Sequence, residues 1–302
     1  MNAADDAVPP LPGAAVEIAR VVRAFPTLLR IGVAEVVAYR AEFLVWILTT
    51  NMPLVMLALW HAVAADGPVG RFDQTQFTAY YLGVLAVRLA TSNWMAWQMS
   101  MEIRDGTLST KLLRPIHPLF GYAADHLSAI PMRILVVSPI VVALFVTSWD
   151  RLAGHDPSLV LVLVASLIGA WLLVFFSMVL LGAIAFYVDS AMGPFELWIG
   201  VHAIFSGYLI PLEVLPGWVR GAANVLPFRF MLAFPVETLV GLLSPGDAAR
   251  QLAAQWLYVA LTGWLALRVW RSGVRRYGHG PIISISGEQF ADAVHRLGAN
   301  HD

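Results

Sequence analysis

Residues 158–187 read SLVLVLVASLIGAWLLVFFSMVLLGAIAFY, and no charged side chain occurs between Asp156 and Asp189. A helix needs roughly 20 apolar residues to cross a hydrocarbon core about 30 Å thick. Inside a bilayer the backbone amides of such a segment must be hydrogen-bonded within the segment itself, which a helix achieves. The stretch therefore predicts a transmembrane helix.

The composition of the whole chain agrees with that prediction. Of the 302 residues, 59% are hydrophobic and only 13% are charged, whereas a soluble domain carries roughly 25% charged residues. Five further stretches are almost free of charge. With 158–187 they predict spans over residues 42–64, 76–100, 120–148, 158–187, 193–213 and 251–271. The predicted fold class is an all-α polytopic membrane protein with six transmembrane helices.

The segments outside the spans differ in character. Residues 1–13 are acidic and proline-rich, which predicts a disordered tail and not a cleavable signal sequence. Residues 14–40 predict an amphipathic interfacial or connecting helix that Pro26 breaks into two pieces. That helix either lies on an anionic membrane face or packs on its neighbours in the cytoplasm. The six-span domain covers 41–272, and 273–302 predict a cytoplasmic tail.

The distribution of basic residues predicts the orientation. With both termini in the cytoplasm, most arginines lie inside and only Arg71, Arg151, Arg220, Arg229 and Arg250 lie outside, as the positive-inside rule requires. Between the fifth and sixth spans, Pro211, Pro216 and Pro227 divide an apolar region into pieces too short to cross the bilayer. We therefore expect an outer re-entrant hairpin in that region.

Several classes of function are excluded or lack support. A net charge of −1 gives no basic field for nucleic acid, and the chain has no cysteine. A P-loop needs glycine before its lysine, but the one lysine, Lys111, follows Thr110. We find no metal-binding motif and expect no catalytic residue and no metal. A membrane-embedded enzyme acting on lipid, and a passive channel or scaffold, remain alternatives to transport.

The connection between the second and third spans is the most informative loop: Met101–Asp125, MEIRDGTLSTKLLRPIHPLFGYAAD. Asp105-Gly106-Thr107 predicts a turn, with Thr107 capping a short helix that begins at Leu108. The apolar stripe of that helix is Leu108, Leu112 and Leu113, and Pro115 ends it. The loop is either an ordinary surface connection or a docking element for a soluble partner.

The same loop resembles the E-x-R-x-G-T-L-x-x-x-L-L-x-P signature of ABC-2-type transporter permeases. The matching residues are Glu102, Arg104, Gly106, Thr107, Leu108, Leu112, Leu113 and Pro115. Tyr39-Arg40-Ala41-Glu42-Phe43 resembles the family's entry into the first span. The stretch 206–211, with Pro216 and Pro227, resembles its fifth span and outer re-entrant helices.

The resemblance implies a bacterial exporter in the cytoplasmic (inner) membrane. Two copies of a separate ABC ATPase subunit would bind ATP and Mg and dock on coupling helices, so that this chain itself needs no cofactor. A second permease chain, identical or homologous, would complete the path, and membrane lipids would surround it. Glu102 and Arg104 would make charged contacts with the ATPase, and Leu108 and Leu112 would enter its groove.

Arg88 lies near the middle of the second span, where an arginine is expensive unless it faces a partner or a wet cavity. We expect either a role in the translocation path, or a structural ion pair or helix-carbonyl clamp, and Glu196 on the fifth span is a candidate partner. Arg133 is expected to snorkel to the interface. The other path candidates are Tyr81, Ser92, Trp94, Met95, Trp97, Trp198, His202 and Phe205. If their aromatic rings line a path and are not only packing surface, they imply an amphipathic or lipid-like substrate.

Overall fold

The computed structural model describes residues 14–39, 41, 45, 52–152, 158–188 and 192–278. Within those ranges the chain is α-helical with turns, and its one β-type pairing is an isolated bridge between Val69 and Phe72. The all-α class is therefore confirmed. The predicted tails, 1–13 and most of 273–302, lie outside the described residues, as does most of the entry into the first span.

The longest of the helices lies near the C-terminus. Their bounds are α1 Ala14–Ala38, α2 Met52–Val63, α3 Gln74–Thr91, α4 Met95–Arg104, α5 Leu108–Leu112, α6 Pro118–Ser128, α7 Ile130–Leu152, α8 Ser158–Ala183, α9 Met192–Phe205, α10 Gly217–Val225, α11 Phe228–Met231, α12 Ala233–Leu239 and α13 Pro245–Gly278. Single 3₁₀ turns occupy Ile184–Phe186 and Leu212–Val214.

Helix α8 is the central element, and α13 packs along it. Helices α3, α4, α11 and α12 also contact α8. Small residues allow the close approach: a β-carbon at Gly169 of α8 would lie 2.7 Å from the Gln255 side chain of α13, and one at Gly263 would lie 3.0 Å from Phe176. Close packing over small residues is the usual way in which membrane helices associate.

Two of the described helices are long and apolar enough to cross a membrane. They are Leu159–Phe186, with a mean hydropathy of 2.8, and Pro245–Gly278, with a mean hydropathy of 1.2. Leucines on both helices project outward, including Leu161 at 75% exposure and Leu257 at 69%. Such exposure of large apolar side chains is expected for surfaces that face lipid or another protein.

The predicted second span is not one helix. Helix α3 ends at Thr91 and α4 begins at Met95, with Ser92, Asn93 and Trp94 between them. The Oδ1 atom of Asn93 accepts a hydrogen bond from the Met95 N–H at 2.8 Å, which fixes the start of α4. The predicted third span is also divided, because α6 ends at Ser128 and α7 begins at Ile130.

Arg133, on α7, contacts the break between α3 and α4. Its guanidinium donates to the Ser92 carbonyl at 2.7 Å, and the residue is 8% exposed. The expectation that Arg133 snorkels is therefore wrong, because its charge satisfies a carbonyl that the interrupted helix leaves free.

The prediction that Pro26 divides the N-terminal helix is also wrong. Helix α1 runs from Ala14 to Ala38 with Pro26 inside it. A proline removes one backbone hydrogen bond, and the turns on either side keep theirs. Helix α1 packs on α6, where Gly32 lies against Ser128, so that tertiary contact supports the helix beyond its proline.

Three prolines begin short elements between α9 and α13. Pro211 precedes the 3₁₀ turn at Leu212–Val214, Pro216 precedes α10, and Pro227 precedes α11. The chain turns back after α9 at Gly207, which has a φ of +83°, and the Ala233 N–H donates to the Ser206 carbonyl at 3.0 Å. The segmentation agrees with the predicted hairpin, whose depth in a membrane stays a prediction.

Candidate functional site

A cavity of about 140 Å³ lies at the break between α3 and α4. Its walls come from that break, from α8, from α9 and from the segment after α9. Five residues predicted for a translocation path line it together: Arg88, Ser92, Trp94, Trp198 and His202. The structure thus brings together predicted residues from two elements, one group on α3 and the break after it and the other on α9.

The other five predicted path residues lie elsewhere. Tyr81 is fully buried and donates to the Leu209 carbonyl at 2.7 Å, and Met95 is fully buried in the core. Trp97 is 54% exposed, Glu196 is exposed, and Phe205 packs against the cluster that contains Leu212. For Met95 and Trp97 the reason is the break at residues 92–94. Residues after it do not continue the helical face on which Arg88 lies.

Arg88 carries the positive charge of the cavity. Its guanidinium carbon lies 4.5 Å from the centre of the Tyr208 ring, which is a cation–π contact. Among the described residues no carboxylate forms an ion pair with Arg88, and the predicted partner Glu196 is exposed on α9. The cavity therefore holds an arginine whose charge the surrounding described protein does not neutralise.

Asn93 adds a second polar group to the cavity wall. The residue is 6% exposed, and with Oδ1 engaged by Met95 its Nδ2 has no hydrogen-bond partner in the described part of the chain. A buried donor without a partner costs roughly 1–3 kcal/mol. Groups of this kind persist in native proteins mainly where water, an ion or a ligand satisfies them.

Aromatic rings form the rest of the wall. Trp198 stacks on His202 with ring centres 4.8 Å apart, and Trp94 meets Phe195 edge-on at 6.0 Å. The sequence reasoning did not select Phe195 or Ile199, although they complete the helical stripe of Trp198 and His202. It also did not select Asn93, Tyr208, Thr91, Val174, Met178, Ala203, Met231 and Leu232. Most of these reach the cavity only through tertiary folding.

The loop predicted to couple to a partner lies at the other end of α4. Gly106 has a φ of +77°, which confirms the predicted turn, since glycine adopts this conformation without strain. Thr107 does not cap the next helix. Its hydroxyl donates back to the Glu102 carbonyl at 3.4 Å, and α5 is a single short helix over Leu108–Leu112.

Half of the loop is an internal anchor. Leu108 is fully buried in the core, and Leu112 packs on the same core. The Glu102 carboxylate accepts hydrogen bonds from Tyr122 at 2.5 Å and from Lys111 at 2.7 Å. Glu102 and Leu108 are thus engaged inside the chain, and their contact with a partner stays a prediction.

The other half of the loop faces outward. Arg104, Gly106, Thr107 and Pro115 are exposed, and Leu113 is 87% exposed. These exposed side chains form the part of the loop that a second protein could reach. The surface that we call the loop face consists of Arg104, Gly106, Thr107, Leu113 and Pro115.

Helix α4 connects the loop face to the cavity. Trp94, at its N-terminal end, lines the cavity, and Arg104, at its C-terminal end, belongs to the loop face. At 1.5 Å per residue, the ten residues of α4 span about 15 Å. Helix α4 packs on α8 along this distance.

The described part of the chain is helical, has apolar helices of membrane-crossing length and holds a charged cavity beside a broken helix, which are features of helical membrane transport proteins. The sequence model of the family described as "ABC-2 family transporter protein" matches residues 69–279. The match covers more than half of the chain, which therefore belongs to this family of ABC transporter permeases. A search of curated proteins gives no match.

Membership makes the chain a membrane component of an ABC transporter and implies an ABC ATPase as its partner. Both the cavity and the loop face lie inside the matched range. Within the described residues no group of histidine and acidic side chains could hold a metal ion.

Proposed function

We propose that this chain is the permease subunit of an ATP-driven exporter in the bacterial cytoplasmic membrane. It crosses the membrane six times with both termini in the cytoplasm, and the segment from Pro211 to Leu239 forms a re-entrant hairpin on the outer face. A second permease chain, identical or homologous, completes the path. The observation that carries the proposal is the single helix α4, which joins an exposed loop face to an internal cavity.

The ATPase subunits, two per transporter, dock on the loop face. Arg104 supplies a charged contact and Leu113 an apolar one, since both are exposed. ATP and Mg belong to those subunits. This chain contributes a rigid connection: Glu102 is held to Tyr122 of α6 and to Lys111 of α5, so that the loop moves as one piece with the ends of α4 and α6.

Movement of the loop face would shift α4 and change the cavity wall at Trp94. A five-residue helix has little stability of its own, because nucleation alone is unfavourable. Its ability to transmit force therefore depends on the buried Leu108 and on the Glu102 hydrogen bonds. The substrate, amphipathic or lipid-like, would pass from the cavity toward the outer hairpin.

Co-purification tests this proposal. The tagged chain, expressed with the genes that neighbour it, should retain a P-loop ATPase in a mild neutral detergent, and the complex should hydrolyse ATP. Leu113→Glu and Arg104→Glu, on the loop face, should each reduce the retained ATPase at least tenfold. Trp218→Glu is the matched control, because Trp218 is 81% exposed on α10, at the proposed outer face.

Two results would contradict the proposal. One is a homogeneous preparation that contains no ATPase, which would favour a channel, a scaffold or an embedded enzyme. The other is loss of the ATPase in Trp218→Glu with retention in Leu113→Glu, which would place the docking surface on the opposite side. For a complex that retains the ATPase, transport by inverted vesicles with ATP outside shows the direction of transport. Accumulation of the substrate in the lumen indicates export.

A further inference from the structure

We propose that the cavity at Arg88 binds the anionic group of an amphipathic substrate, an oxyanion such as a phosphate or a carboxylate. This inference deepens the proposed function and rests on it, because it gives the chemical class of the transported molecule. Three features support it: a positive charge in the cavity without a counter-charge, an unpartnered buried donor on a residue of the cavity wall, and the start of helix α4 beside that residue.

The first feature is the guanidinium of Arg88. No acidic side chain among the described residues pairs with it, and its contact is the face of the Tyr208 ring. A charged group at membrane depth normally faces a counter-charge, a carbonyl or a watery cavity. An arginine also presents a planar set of donors that suits the two oxygens of a carboxylate or a phosphate.

The second and third features lie at the break between α3 and α4. Asn93 is 6% exposed and its Nδ2 has no partner in the described structure, while its Oδ1 is engaged by Met95. Helix α4 begins at Met95 and has no acidic residue in its first turn. The N-terminal end of a helix is partially positive and attracts anions, as the interrupted helices of other transporters show.

The aromatic wall suits the apolar part of such a molecule. Phe195 and Trp198 border the cavity, and Trp94 and Ile199 continue the wall outward, with exposures of 38% and 41%. A space of about 140 Å³ admits a head group but not a long acyl chain. The anionic group would sit at Arg88 and Asn93, and the tail would leave along the exposed ring of Trp94.

Binding to the purified permease tests the inference without the ATPase. In a neutral maltoside detergent, tryptophan fluorescence would follow titrations with dodecyl phosphate, dodecanoate and uncharged dodecanol, since Trp94 and Trp198 line the cavity. We expect at least one of the two anions to bind tenfold or more tightly than dodecanol. Binding of both indicates any oxyanion, and binding of dodecyl phosphate alone indicates a phosphate site; either result supports the proposal.

Two variants assign the binding to the cavity. Arg88→Gln removes the charge, and Asn93→Asp keeps an acceptor for the Met95 N–H while it replaces the Nδ2 donor with a negative oxygen. Each should weaken binding of the preferred anion at least tenfold. Arg250→Gln is the matched control and should bind as the wild type does, because Arg250 is an exposed arginine paired with Asp247 far along the chain.

Equal binding of the three amphiphiles by the wild type would overturn the proposal, as would unchanged anion binding in Asn93→Asp. The second criterion applies even if Arg88→Gln does not fold. The outcomes also separate this inference from the proposed function. A chain that retains the ATPase but has no preference for anions contradicts the site alone. A chain that prefers anions but retains no ATPase contradicts the exporter alone.

Discussion

The hydroxyl of Tyr122 donates a hydrogen bond of 2.5 Å to the carboxylate of Glu102 and so ties the start of α6 to the end of α4. The two residues flank the loop that the family signature marks. Lys111 completes the arrangement: its ammonium group lies 2.7 Å from the same carboxylate and 4.2 Å from the centre of the Tyr122 ring. A motif residue that was expected to contact a partner is thus an internal support.

Removal of the Tyr122 hydroxyl should loosen this loop. A hydrogen bond to a charged group contributes about 1.5–3 kcal/mol, so Tyr122→Phe should raise the amide hydrogen exchange of residues 101–117 by at least tenfold. Tyr258→Phe is the control, because its hydroxyl contacts the Val225 carbonyl in another region. Unchanged exchange in Tyr122→Phe would show that the loop does not depend on this bond.

The two leucines of the loop should behave in opposite ways. Leu108 is fully buried, so Leu108→Ala should lower the free energy of unfolding by about 2–5 kcal/mol. Leu113 is 87% exposed, and Leu113→Ala should change the free energy of unfolding by less than about 0.5 kcal/mol. Unfolding in mixed micelles with increasing SDS measures both. Similar losses in the two variants would contradict the assignment of an inner and an outer side.

A pair of glycine substitutions tests the turn at Gly106. Gly106 has a φ of +77°, where an alanine costs roughly 1–2 kcal/mol. Gly121 lies within α6 with no atom within 4 Å of an added β-carbon, so Gly121→Ala should be neutral or stabilising by about 0.5–1 kcal/mol. The same SDS titration compares them. A destabilising Gly121→Ala together with a neutral Gly106→Ala would contradict the described backbone.

The ion pair between Arg229 and Glu237 should stabilise the region between α9 and α13. Its atoms are 2.7 Å apart, and the side chains are 14% and 4% exposed. Substitution of either partner by alanine should lower the free energy of unfolding by about 3–5 kcal/mol. The double variant should lose less than the sum of the two single losses. The exposed pair of Asp247 and Arg250 provides a control double-mutant cycle, in which the coupling free energy should be below about 1 kcal/mol. Equal couplings in the two cycles would contradict the burial of the first pair.

Much of the fold follows from apolar segment length, and α8 and α13 are examples. The break at residues 92–94 was not predicted, because no charge or proline marks it, although Thr91, Ser92 and Asn93 are polar residue types that favour turns and helix starts. At the break, the Ser92 carbonyl accepts a hydrogen bond from Arg133, which is distant in sequence. Local patterns contain no information about such a partner.

The candidate sites show the same limit. Helical periodicity puts Trp198 and His202 on one face of α9, and the structure brings that face to the cavity that Arg88 also lines. Leu108 and Leu113 belong to one apolar stripe in the sequence, yet one is buried and the other protrudes. Which of two apolar residues is covered depends on α6 and α8, and therefore on tertiary packing.

Site-directed cross-linking in membranes tests whether the loop face is the cytoplasmic surface on which the ABC ATPase docks. The chain has no cysteine, so Leu113→Cys and Trp218→Cys each introduce a single thiol. With a thiol-to-amine cross-linker in inverted vesicles, Leu113→Cys should form a product with the ATPase. Trp218→Cys should form none, and in intact cells it should react with a membrane-impermeant maleimide. Cross-linking of Trp218→Cys to the ATPase, with labelling of Leu113→Cys from outside the cell, would contradict the account.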